Sequence, residues 1–282
     1  MGAKGMLGSS FIRLADKSFK VIPASRDDFN FTNFSKLYNF LDSKKPDVII
    51  NAAANINLAD CEANKESSSK INLEFVKELR DWCANNSSFL VQVSTDHFYD
   101  YGGNYPHSEV DEVVLLNEYA KQKFAAERVV MDLDRHLIIR TSILGYRNSG
   151  PLTFIEWILS TIKAENQIAG FDDAYTSSID VDTLVEIVFL CIKNKVKGIY
   201  NIASSEVYSK YDLIKAIIVD LGSTEIDLVA SKVGQLTPTR ADCCGLKVEK
   251  IQNLIQIPLP NLDTVVKNLC IQENYNELHR QI

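Results

Sequence analysis

Short apolar runs alternate with helical patterns along most of this chain, and that alternation limits its fold more than any other feature. Residues 19–25, 46–54, 89–93, 136–144 and 198–203 read as strands. Residues 37–43, 67–84, 115–133 and 179–193 read as helices between them. Strand, helix and strand in turn argue for a parallel sheet, because parallel neighbours need a crossover and a helix supplies one. The expected class is α/β, a doubly wound parallel sheet. After Gly145 the texture changes: Asn148-Ser149-Gly150-Pro151 breaks the pattern, and helical patterns follow at 152–163, 211–221, 248–255 and 262–270.

The bulk numbers narrow the function. A length of 282 residues suits one large domain or a domain with a lobe, and 46% apolar residues supply a full core. A net charge of −7 argues against a nucleic-acid partner, although a local cation or helix terminus can still hold an anion. No signal peptide and no membrane-spanning apolar run is seen, so no membrane partner is expected. The six cysteines form no CxxC pair, which points to neither a metal site nor a disulfide framework and fits a reducing cytoplasm.

Several short motifs carry chemistry. Gly2, Gly5 and Gly8 are spaced GxxGxxG, which suits a tight turn into a helix with backbone N–H groups turned toward a pyrophosphate. Met6 and Leu7 open that helix. A small polar residue followed by Arg, as in Ser25-Arg26, suits the 2′-phosphate of NADP better than the ribose of NAD, while Asp27 and Asp28 pull the other way. Ala52, Ala53 and Ala54 end a strand without bulk. Tyr119 and Lys123 are four apart, so on a helix they share a face. An ammonium beside a phenol favours the phenolate, and the pair is expected to bring the tyrosine toward neutral pH as a proton donor and acceptor. Thr95, at a strand end, would hydrogen-bond the same reacting oxygen.

Taken together with Arg140-Thr141-Ser142 and Arg240-Ala241-Asp242, these motifs resemble an extended short-chain dehydrogenase/reductase. The nearest likeness is to the dTDP-4-dehydrorhamnose reductase group of nucleotide-sugar reductases, and it runs over nearly the whole chain. The resemblance implies a Rossmann-type domain at 1–145, completed by about 179–203, with a substrate-binding lobe from 146–178 and 204–282. It implies NADPH as cofactor, with NADH as the second choice, and reduction of a nucleotide-linked 4-keto-sugar in polysaccharide biosynthesis. Thr95, Tyr119 and Lys123 would be catalytic. Gly2, Gly5, Met6, Leu7, Arg26, Ala52, Ala53 and Ala54 would hold the cofactor, and Asn30 and Phe31 would flank its adenine. Thr95, Asp96 and Ile143 would meet the sugar, although Asp96 reads more simply as a helix or loop cap. His97 reads as structural. A homodimer stays open.

The chain also departs from the group. Ile143 stands where a tryptophan is usual, His97-Phe98-Tyr99 follows Ser94-Thr95-Asp96, and Leu115 replaces a proline. Two other readings stay open: an epimerase or dehydratase of the same superfamily, and a non-catalytic nucleotide-binding regulator like that of methionine adenosyltransferase.

A last expectation concerns the sheet. The glycine loop normally follows a first strand, yet Gly2 follows Met1. That strand would lie between the strands ending near Ser25 and Val93. A short apolar strand of roughly 5–8 residues upstream of Met1 is expected to complete the sheet.

Overall fold

A computed structural model describes residues 1–147, 150–234 and 237–280, with 273–280 described by backbone alone. Asn148 and Ser149, where a break was expected, lie outside the described residues. The centre is a parallel sheet in the order β1 (Val48–Asn51), β2 (Phe89–Val93), β3 (His136–Arg140) and β4 (Gly198–Asn201). Side chains alternate between its faces. Val91, Leu137 and Ile139 pack with Phe11 and Val185 on one side. Leu90 and Ile138 pack with Leu79 and Trp82 on the other. With both faces covered, β2 and β3 carry short apolar runs, Phe89-Leu90-Val91 and Leu137-Ile138-Ile139.

Helix α1 (Met6–Leu14) follows the glycine loop, and α2 (Phe34–Lys44) starts where the Asn33 side chain accepts from the Lys36 N–H. Helix α3 (Glu118–Met131) carries Tyr119 and Lys123. It begins three residues later than expected, because Asn117 caps it by accepting from the Ala120 N–H at 2.9 Å. The helix expected at 67–84 is instead Lys65–Ser69, a π-helical turn at Lys70–Glu74, and Phe75–Asn86. Within that turn Asn72 bonds the Asn55 carbonyl and Gln122 of α3, which locks three segments together.

The run 136–144 is not one strand. Ile143–Leu144 leaves β3 and pairs with Ile179–Asp180. Beyond it lie a parallel pair, Gln167–Phe171 with Asp227–Ser231, and short strands at Tyr175–Thr176, Tyr208–Ser209 and Cys243–Cys244. A separate apolar cluster forms here around Ile158, Leu213, Ile217 and Val265. Gln167–Phe171 is exposed at alternate positions, so it lacked the continuous apolar signal of β2.

Residues 19–25 were expected to be a strand and are not. A cleft of about 350 Å³ separates them from β1. Among the described residues, Met1–Ala3 bridges it. The Met1 nitrogen donates to the Ile50 carbonyl at 2.6 Å, and the Met1 carbonyl accepts from the Ala52 N–H at 3.2 Å. Gly2 and Ala3 donate to the Ala24 carbonyl at 2.9 and 3.0 Å. Residues 19–24 therefore face β1 across this cleft, and not Phe89–Val93 as expected. The physical reason is that 26–47 supplies α2 but no strand, so β1 pairs directly with β2.

Candidate active site

The carboxyl ends of β1 and β2, the glycine loop and the start of α3 meet at one place. Gly2 has φ +83°, and a Cβ on it would sit 3.0 Å from the backbone of Ala52 and Ala53. A Cβ on Gly8 would fall 2.0 Å from the Gly2 carbonyl oxygen. Only glycine allows α1 to rise this close to the turn. Gly5 caps α1 with no side-chain hydrogen bond, so the first N–H groups of that helix, at Met6 and Leu7, are left to a ligand. Ala53 is buried and its N–H is held by the Asn51 side chain at 3.2 Å. The loop thus has the small side chains and open donors that a pyrophosphate needs.

Arg26 lies exposed at the end of 19–25. The two acids beside it are engaged. Asp27 pairs with Lys4. Asp28 accepts from the Ser25 N–H at 2.8 Å and the Ser25 hydroxyl at 3.0 Å, which holds its carboxyl below the usual range. Arg26 is therefore the one of the three whose charge has no partner among the described residues. The next pair departs from expectation. The Phe31 ring is 5% exposed and stacks on Phe75 at 5.0 Å, so it belongs to the core and offers no face to an adenine. The Asn30 side chain accepts from both the N–H and hydroxyl of Thr32, closing a turn.

At the chemical end, Thr95 and Tyr119 are both buried and their hydroxyls are hydrogen-bonded. Burial pushes the Tyr119 phenol well above its ordinary value, and the Thr95 bond offsets only part of that. This corrects the expectation of a lowered tyrosine. The Lys123 ammonium is turned to the Val93 carbonyl at 2.6 Å and is not among the groups acting on the phenol. Burial brings Lys123 itself down to about 8, against the pull of Glu127 one turn further along α3. A buried ammonium of this kind destabilises the fold below its pKa. The unfolded chain keeps its proton up to about 10.5, so stability rises with pH between about 8 and 10.5. Lys123→Met is expected to melt higher than the parent at pH 7. The penalty removed is on the order of 3 kcal/mol, less roughly 1 for the lost bond to Val93. Thermal melts from pH 7 to 10.5 should show the gap closing; a gap independent of pH would sink this account.

Asp96 is 5% exposed and caps no helix. Its backbone closes a turn by accepting from the Phe98 N–H at 2.6 Å, and its carboxylate takes a bond from Thr95 at 3.4 Å. His97 meets Tyr119 edge-on at 6.1 Å, with its Nδ1 buried and without a partner among the described residues. Burial lowers its pKa, so it is neutral. Ile143 is half-buried and packs on the core cluster of the sheet. Two cations also converge here: Lys210, which sequence reading passed over, and Arg240, which it named only as part of a motif. The charges of Lys210 and Arg240 both reach His97, and Lys210 is drawn to Asp96. The Lys210 ammonium lies 5.0 Å from the Phe154 ring. No spacing rule links residues so far apart in the chain, and the tertiary fold alone brings them in.

Residues 1–275 match the model of the RmlD substrate binding domain family. The chain belongs to that family. Among curated members, a dTDP-4-dehydrorhamnose reductase of Salmonella typhimurium is 25% identical over 256 residues, covering 86% of this chain and 85% of its own. One of Aggregatibacter actinomycetemcomitans is 28% identical over 290 residues, covering 95% and 96%. A solved structure of the reductase from Bacillus anthracis, in complex with NADP, superposes with a TM-score of 0.88 at 19% identity, covering 96% of this chain and 97% of that one. The RmlD-type fold is thus a Rossmann-type α/β fold, and among the described residues no helix is long and apolar enough to cross a membrane.

Proposed function

We propose that this chain is an NADPH-dependent reductase of a nucleotide-linked 4-keto-sugar. The observation that carries the reading is the buried contact of Thr95 with Tyr119, one helical turn from Lys123. Reduction needs a proton donor for the new alkoxide, and a phenol held high by burial is protonated at neutral pH. Thr95 hydrogen-bonds the carbonyl oxygen as charge develops on it. Lys123 stands by the same strand end to hold the nicotinamide ribose. A reduced nicotinamide, when bound, supplies the hydride. The N-terminal turn of α1 would take its pyrophosphate and Arg26 the 2′-phosphate. The lobe of 146–178 and 204–282 would bind the sugar nucleotide, with Lys210 and Arg240 setting positive charge against it in a chain of net charge −7. The names of the Salmonella and Aggregatibacter relatives support this substrate class.

The test is NADPH oxidation over a panel of nucleotide 4-keto-sugars. Nucleotide binding with no turnover on any of them would favour a non-catalytic regulator instead. Arg26 gives a second, independent check. Arg26→Ala is expected to weaken NADPH by roughly 1.5–3 kcal/mol, the value of a lost charge-assisted contact, and to leave NADH nearly unchanged. Equal losses for both cofactors, read by titration, would make Arg26 a surface cation only.

A further inference from the structure

We infer that Asn117 is a positioning residue: its one side-chain amide opens the catalytic helix α3 and also tethers residues 239–241, so that Arg240 is held at a set distance from Tyr119. The inference rests on the reductase reading above, in which Tyr119 gives the proton and Arg240 faces the sugar nucleotide.

The first argument is the pair of bonds. A side-chain amide has an acceptor end and a donor end, and here both are used. The Asn117 Oδ1 accepts from the Ala120 N–H at 2.9 Å, which caps α3. The Asn117 Nδ2 donates to the Thr239 carbonyl at 3.0 Å. Asn117 is 1% exposed, so water does not compete for either bond. Tyr119 follows closely on Asn117, and Arg240 is the residue after Thr239. One side chain thus joins the proposed proton donor to a cation across 122 positions of chain.

The second argument is how little else holds this stretch. From Asp242 onward the chain is fixed. The Asp242 carbonyl accepts from the Tyr175 N–H at 2.7 Å, Cys243–Cys244 pairs with Tyr175–Thr176, and the Gly245 carbonyl accepts from the His107 N–H at 2.9 Å. Among the described residues, Thr239 to Ala241 has the Asn117 bond and, besides it, a weak one from the Cys244 thiol to the Ala241 carbonyl at 3.4 Å. Arg240 is exposed and has no partner among the described residues. Its charge still reaches His97, which meets Tyr119 edge-on.

The third argument is that the cap does not need an asparagine. Serine and aspartate cap a helix as well, and the neighbouring Glu118 N–H is already held by the Glu62 carboxylate at 2.6 Å. A serine is too short to cap and also reach Thr239, and an ionised aspartate has no donor. The two tasks of Asn117 can therefore be separated.

The test compares Asn117→Ser and Asn117→Asp with the parent. Both keep the cap; the first adds no charge and the second leaves no gap. Trypsin cleavage after Arg240, followed by fragment mass, should be about three- to tenfold faster in both, the scale of one lost hydrogen bond in an opening equilibrium. Exchange of the Ala120 amide should stay as in the parent. Turnover of the keto-sugar that the parent reduces should fall about 10–100-fold in kcat/KM, the scale of a small misplacement, with NADPH affinity unchanged. In an Arg240→Gln background the same substitutions should cost little more, since Asn117 acts through Arg240. Parental cleavage rates in both variants would overturn the tether. Faster cleavage with parental turnover, or a full further loss in the Arg240→Gln background, would overturn the positioning role. Cleavage and exchange need no substrate, so a failed tether is told apart from a failed reductase reading, which a parent idle on every keto-sugar would show.

Discussion

Tyr119→Phe is expected to lower kcat by about 10²–10⁴-fold, the usual weight of a positioned proton donor, while leaving NADPH affinity nearly unchanged. The change removes one oxygen from a side chain that is 7% exposed. The ring still fills its place beside His97, and the loss falls on the proton and on the bond to Thr95. Burial holds the phenol high, so the parent should keep its donor protonated across neutral pH, with no loss of rate from Tyr119 ionisation below pH 9. Steady-state kinetics with NADPH binding measured separately will decide. Full activity in Tyr119→Phe would remove the mechanism proposed here.

Arg140→Met is expected to cost about 3–5 kcal/mol of stability, because it leaves the Glu127 carboxylate buried and unpaired. Arg140 is 3% exposed and Glu127 1%. The guanidinium bonds Glu127 at 2.8, 3.1 and 3.2 Å, the Tyr99 hydroxyl at 2.8 Å and the Glu109 carbonyl at 3.3 Å. It also lies 5.1 Å from the Phe98 ring. The pair ties β3 to α3 one turn beyond Lys123, so its loss should also blur the placing of Tyr119 and Lys123. Against a total of about 5–15 kcal/mol, such a variant stands near the edge of folding. Replacing both partners, as Arg140→Met with Glu127→Leu, should recover most of the loss, since no charge is then stranded. Urea denaturation of the two single variants and the double one measures this. A single-variant loss below about 1 kcal/mol would show that the pair is dispensable.

The consecutive Arg140-Thr141-Ser142 was legible as part of a motif, yet its parts serve different ends. Arg140 faces α3, while the Ser142 hydroxyl bonds that of Ser178 at 2.8 Å and joins the neighbouring pair of strands. Phe31 was read as an adenine neighbour from its place in the chain and turned out to fill the core beside Phe75. In both cases neighbours in sequence part company because successive side chains leave the backbone in different directions.

What the sequence determined by itself is what local spacing can hold. The alternation of strand and helix sets a parallel sheet, GxxGxxG sets a turn too tight for side chains at Gly2 and Gly8, and a four-residue step on α3 sets Tyr119 and Lys123 on one face. Only the tertiary structure decided the quantities that depend on what lies around a group. Burial reversed the expected direction of the Tyr119 pKa, a carbonyl of β2 took the Lys123 ammonium, and distant chain brought Lys210 and Arg240 to His97. Desolvation and Coulomb terms depend on every atom nearby and on none of the intervals in the chain. The same holds for the neighbour that 19–24 faces, which is β1 and not Phe89–Val93, because pairing is settled between whole strands and not within one.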